Sequence, residues 1–241
     1  MDPSEKPTVD ESQLQGVVRT NMDSPEPTAA QLARKARSIE QVKAMGLPFI
    51  EHLPVVEDQT QIEPRTPQEV ASRCLAVAIC ALKGETQGQE AEFVDGLVKE
   101  YGAEGYFSPQ EAVFIKDPAA SEQELVNFCW RYECVHVFMW ALGRVDGMAS
   151  PGAICDVAHD IGAIRDAGPE AFISQAELRS QADILDMADL YYRLNWAAVE
   201  MRVKGAESDA IEEGIVCERH RSLNWLIRYM GQDWDDVTMD T

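Results

Sequence analysis

The stretch EQELVNFCWRYECVHVFMWAL, residues 122–142, decides the fold. Leu125, Phe128, Tyr132, Val135, Met139 and Leu142 recur at three- and four-residue spacing and form one apolar stripe. Val126, Trp130, Val137 and Trp140 form a second, with Glu133 lying on it. A helix that is apolar over most of its circumference must be surrounded by others. Residues 175–204 have the same character, with Leu178, Ala182, Leu185, Tyr192, Trp196, Val199 and Val203 on one face. Ile184, Met187, Tyr191, Leu194, Ala198 and Met201 line another.

Local signals outward from these segments are also helical. TPQE (66–69), SPQE (108–111), SEQE (121–124) and SQAE (174–177) match the pattern in which a cap hydroxyl and a glutamate exchange hydrogen bonds with each other's backbone. Pro67 and Pro109 fall at a first helical position, where the missing N–H costs nothing. Gly84, Gly143, Gly205 and Gly231 are placed to end helices in a left-handed cap. The predicted helices span 28–45, 67–83, 89–101, 109–116, 122–142, 152–167, 175–204 and 209–230. The expected fold is all-α, a bundle of about eight helices around two central buried ones, 122–142 and 175–204. FIEHLPVV at 49–56 could form one short extended piece. Residues 1–27, acidic and holding Pro3, Pro7, Pro25 and Pro27, bury too little to offset their ordering entropy and are expected to be a disordered tail. Residues 28–241 form the helical domain.

Charge narrows the function classes. Lys and Arg number 21 against 42 Asp and Glu, a formal net charge of -21. That field repels phosphate backbones and anionic lipid and suits a basic partner or a cation, so no nucleic-acid or membrane partner is expected. The six cysteines, Cys74, Cys80, Cys129, Cys134, Cys155 and Cys217, mostly sit in apolar helical patterns. With an acidic start and no apolar leader segment, we expect reduced thiols in a soluble cytoplasmic protein. No apolar run approaches the roughly 18 residues of a membrane span.

Charged residues on the apolar stripes are the candidate site. Glu133 lies between Trp130 and Val137, Asp189 between Leu185 and Tyr192, and Arg193 follows Asp189 by four. His220 lies on the stripe Val216, Leu223, Ile227, with Glu218, Arg219, Arg221 and Asn224 around it. Charges so placed must be paired. We expect one polar network joining Arg131, Glu133, Asp189, Arg193, Glu218 and Arg221, either fixing helix register or forming a pocket for a small anion. No catalytic residue can be assigned, and neither a cofactor nor a metal is expected. Cys155 and His159 stand at i and i+4, but no second ligand pair has recognised spacing. No G-x-S-x-G, P-loop or G-x-G-x-x-G occurs. At the C-terminus, Trp234 and Val237 are expected to dock and bring Asp235 or Asp236 to Arg219 or Arg228.

Several of these segments resemble a known family. WRYE (130–133), WALG (140–143), CDV (155–157), ILDMADLYYRLNWA (184–197), ERHRSLNWL (218–226) and WDDVTMDT (234–241) resemble the bacterial domain of unknown function 4272. RKARSIEQVKAMGLPFIEHLP (34–54) and RTPQEVASRCLAV (65–77) are similar to it too, so the resemblance covers about residues 32–241. It implies a bacterial, cytoplasmic, largely helical protein and supplies no activity. It also implies that Arg131, Glu133, Asp189, Arg193, Glu218, Arg219, His220, Arg221 and Asn224 belong to family motifs. The leading expectation is a non-enzymatic binding or interaction protein, one version of which neutralises a basic partner. The alternative is an enzyme or small-anion binder using the Arg/Glu/Asp/His cluster. Oligomeric state is not legible.

Overall fold

A computed structural model describes residues 26–239, and all their regular structure is helical. Most of the expected tail lies outside the described residues. Its last two, Glu26 and Pro27, lead directly into α1 (Ala29–Ala44). The capping boxes at Thr66, Ser108 and Ser121 open α2 (Pro67–Glu85), α4 (Pro109–Lys116) and α5 (Glu122–Cys129), as their spacing predicts. Thr28 and Gln31 form a further box at α1, built on glutamine instead of glutamate. Helix α3 (Ala91–Glu100) lies between α2 and α4. Residues 49–56 form no strand.

Helix α2 packs against α3, α4, α5, α6 (Tyr132–Ala141) and the short α8 (Pro169–Ser174), and α6 lies between α2 and α10 (Glu213–Leu226). Helix α9 (Gln181–Lys204) in turn lies between α10 and α1. Of the two segments expected at the centre, 132–142 and 184–201 are buried there, and α2 and α10 join them. One apolar core runs from Val42 to Val237. Among the described residues, no helix is long and apolar enough to cross a membrane.

Four departures from the predicted elements have tertiary causes. First, 122–142 is not one helix. Three-residue hydrogen bonds, Arg131 N–H to Phe128 O and Glu133 N–H to Trp130 O, tighten the chain at 130–131. The second stripe is thereby split: Val126 and Trp130 are exposed, while Val137 and Trp140 are buried. Second, SQAE caps nothing. The Arg179 main chain donates to Ala141 O at 2.8 Å and its Nε to Trp140 O at 2.7 Å, so 175–180 serve as an extended cap for α6. Helix α9 starts after Ser180, whose hydroxyl accepts from the Asp183 N–H. Third, α7 (Val157–Ala167) starts five residues late because 149–155 are held by side chains from α6 and α10, described below. A short α8 (Pro169–Ser174) follows, where no element was predicted.

Fourth, Gly84 is not a left-handed cap but part of α2. A Cβ there would lie 2.5 Å from Leu125 O and 2.6 Å from Cys129 N, so the missing side chain lets α2 and α5 meet backbone to backbone. Gly143 and Gly205 do take positive φ at helix ends. Helix α10 stops at Leu226 because Arg228 (φ 51°) and Met230 (φ 53°) turn the chain left-handed.

Candidate functional site

The charged residues singled out in the sequence are buried or half-buried, but they do not form one network. They resolve into three separate pairs. Arg131 Nη1 meets Glu218 Oε2 at 3.0 Å, Glu133 pairs with Arg219, and Asp189 pairs with Arg193. Arg221 lies near Glu218 but forms no ion pair with any of the three carboxylates. Its Nη2 donates to Trp234 O at 2.9 Å, and its guanidinium lies 5.3 Å from the Trp234 ring centre. Trp234 and Val237 are docked, as expected. Asp235, however, accepts from the Gln110 N–H at 3.0 Å, and Arg228 pairs with Glu69.

The Glu133–Arg219 pair is a sealed knot. Arg219 is 0% exposed, and its Nε and Nη2 reach Glu133 Oε2 at 2.8 and 2.7 Å. Nη1 serves Ala149 O, Ser150 O and the Tyr191 hydroxyl, while Nη2 also reaches Ala153 O. The other Glu133 oxygen accepts from the Cys155 N–H at 2.9 Å. Burial works against the Arg219 charge, yet Tyr191 and Glu133 beside it hold its pKa above the ordinary value. The fork of a guanidinium is used here to pin a loop between α6 and α7, with no donor left for a ligand.

A second buried pair beside it was not foreseen. His136 Nδ1 lies 2.7 Å from Asp160 Oδ2, and the Ala149 N–H donates to His136 Nε2 at 3.0 Å. Nε2 is therefore the acceptor and Nδ1 carries the ring hydrogen. Cys155 joins these two in a set of potential metal-binding atoms lying within 4.8 Å of one another. A metal on Nδ1 would put the ring hydrogen on Nε2, facing the Ala149 N–H, which is the wrong outer partner for a ligating histidine. The spacing of Cys155 and His159 does not make a chelate either: Cys155 precedes α7, and His159 is largely exposed. All six cysteines are free thiols, and burial pushes every one above its ordinary pKa. None has the depressed pKa of a nucleophilic cysteine.

What remains is an open cleft of about 630 Å³, inside the ~300–1,000 Å³ range of small-ligand sites. His220 and Asn224 of α10 and Tyr192 of α9 line one side. Residues 54–58, Thr60 and Gln61 line the other, together with Thr28 and Gln31 at the start of α1. The Asp189–Arg193 pair supports this second wall. Arg193 holds Asp189 in two hydrogen bonds, 2.8 and 2.9 Å, and donates to Pro54 O at 3.1 Å. Gln31 and Arg34 fix the next carbonyls, Val56 O and Glu57 O, each at 2.9 Å. Tyr229 closes one end from the turn between Arg228 and Met230. Left-handed backbone at two non-glycine residues costs on the order of 1–3 kcal/mol each, strain of the kind that collects at functional sites.

His220 is the chemically unusual member. It is 1% exposed, and its Nδ1 has no hydrogen-bond partner among the described residues. Burial pushes its pKa down to about 3, so the ring is neutral near pH 7. An unpaired buried ring nitrogen costs about 1–3 kcal/mol. Asn224 donates to Thr238 O at 2.9 Å. Sequence spacing singled out His220 and Asn224, which line the cleft. It missed Tyr192 as a lining residue, reading it as core, and gave no signal for the opposite wall, which comes from residues over 130 positions away from Tyr192 at its nearest.

No curated protein and no solved structure matches the chain. The family model described as Domain of unknown function (DUF4272) matches residues 34–237, which takes in the last two thirds of α1 and every later helix, leaving Thr28, Gln31 and Thr238 outside it. The chain belongs to that family.

Proposed function

We propose that this protein binds a small organic ligand in the cleft between α10 and residues 54–61, without catalysing its conversion. One observation carries the reading: a histidine buried to 1% exposure, with an unspent ring nitrogen, lines an open cleft of about 630 Å³. A buried polar atom left unpaired is a standing cost that a ligand group can recover, whereas the saturated Arg219 has nothing to recover. Catalysis finds less support. Among the described residues no cysteine or serine lines the cleft, and its Thr28 and Thr60 hydroxyls are both engaged by Asp58. A ring with a pKa near 3 is a weak base for proton transfer at neutral pH. The bacterial, cytoplasmic setting implied by the resemblance is part of this proposal.

The test is a ligand-screened thermal-shift assay on wild type and His220→Leu. A ligand at 100 times its dissociation constant adds about 2.7 kcal/mol, so hits should raise the wild-type melting temperature and leave the variant unmoved. Hits that act equally on both proteins would sink the reading. A second reading, capture of a basic protein, is favoured by the formal charge of -21. It predicts a partner recovered by pull-down at low salt and released at high salt, with no dependence on His220.

A further inference from the structure

We infer that the ligand of this cleft is an organic cation, an ammonium or amidinium group on an apolar body, seated among Glu57, Asp58, Tyr192 and Tyr229. The inference rests on the binding reading above and adds the chemistry of what is bound. Glu26, Glu57 and Asp58 line the cleft, and among the described residues no lysine or arginine does. None of the three carboxylates forms an ion pair among the described residues, although Arg34 comes close enough to donate to the Glu57 carbonyl. His220 contributes no opposing charge, because burial keeps it neutral.

Asp58 is set in place before any ligand arrives. Thr28 Oγ1 donates to its Oδ2 at 2.8 Å, and the Thr60 N–H and hydroxyl donate to its Oδ1 at 3.1 and 3.0 Å. Hydrogen bonds from the Thr60 backbone and then from the two hydroxyls hold its carboxyl below the usual carboxylate range. The carboxylate is thus ionised and orientationally fixed, which spares a bound cation part of the ordering cost. Across the cleft the Tyr192 and His220 ring centres lie 6.1 Å apart, and Tyr229 supplies another ring. Aromatic faces attract cations through their quadrupole. Pro54, Val55 and Ile227 give apolar surface for the rest of the molecule. An anion would meet the three carboxylates and the protein's overall negative field, while the guanidinium behind this wall, Arg193, 5.8 Å from the Tyr192 ring centre, is already paired with Asp189.

The experiment uses the full chain and three matched probes: 2-phenylethylammonium, its neutral counterpart 2-phenylethanol and the anion 3-phenylpropionate. Binding is measured by calorimetry at low and high salt and located by the side-chain NMR signals of His220. We expect the ammonium to bind about tenfold more tightly than the alcohol, with the preference shrinking in salt and in Asp58→Asn, and the anion to bind most weakly. Equal binding of alcohol and ammonium, or tighter binding of the anion, overturns the charge assignment while the His220 signals still report a ligand site. Ammonium binding that leaves His220 unmoved overturns it too. Failure of all three probes to move His220 or release heat at millimolar concentration overturns both this inference and the reading it rests on.

Discussion

Arg219 and His220 are neighbours on α10, both buried to within 1% of complete, yet their surroundings differ in kind. Around Arg219 every guanidinium nitrogen is used, on Glu133, Tyr191 and three loop carbonyls. Around His220 a ring nitrogen is unused and an open cleft begins. Consecutive residues on a helix face directions about 100° apart, so one points into the knot with α6 and the other towards α1 and residues 54–61. Burial of a polar group therefore does not mark a site by itself. Burial without a partner beside open space does.

The largest effect should come from breaking the knot. Glu133→Ala or Arg219→Ala leaves an uncompensated buried charge and should cost about 3–5 kcal/mol in urea unfolding. A loss under about 1 kcal/mol would mean that the loop at 149–155 is held by something else. Arg193→Ala strips the partner from Asp189, which is 0% exposed, and frees Pro54 O. It should also cost several kcal/mol and loosen one wall of the cleft, so any ligand of wild type should bind it more weakly even where it remains folded. Gly84→Ala tests packing away from both regions: its methyl must displace the α5 backbone, costing about 1–3 kcal/mol with ligand binding unchanged.

His220→Leu should change stability least at neutral pH, raising it by about 1 kcal/mol, because it removes a buried polar atom that has no partner. Its pH dependence is the sharper test. His220 has a folded pKa of about 3 against an ordinary 6.5, so between these values the unfolded chain takes up a proton that the native state refuses. Its contribution to stability is full above pH 6.5 and falls as the pH drops towards 3. The variant should lose that part of the acid slope. An unchanged slope in denaturant unfolding from pH 7 to 4 would mean that His220 is accessible to protons in the native state.

Much of the helical framework was legible because its signals are local. Thr66, Ser108 and Ser121 each carry their glutamate three residues on, and the stripes flanking Leu185 and Val135 repeat within a few turns. Failures came where a distant partner overrode the local pattern. Ser174 has the same motif as Ser121, but Arg179 is recruited to cap α6. Gly84 looks like a stop signal, and only the approach of α5 explains it. The site was half legible for the same reason. His220, Arg219 and Glu133 stand out as polar residues on apolar faces, but the sequence cannot say that Glu133 finds Arg219 86 positions away. Nor can it say that the wall opposite His220 is built from residues 54–61.

The central claim is that ligand is met at His220 and not at Arg219. One measurement addresses it directly: the side-chain nitrogen spectrum of the full chain, with His220 ring and Arg219 Nε signals followed together as the best thermal-shift hit is titrated in. Shifts at His220 that saturate with the binding curve, with Arg219 Nε unmoved, are the predicted result. Movement of Arg219 Nε with His220 silent would contradict the account and return the site to the Glu133–Arg219 knot.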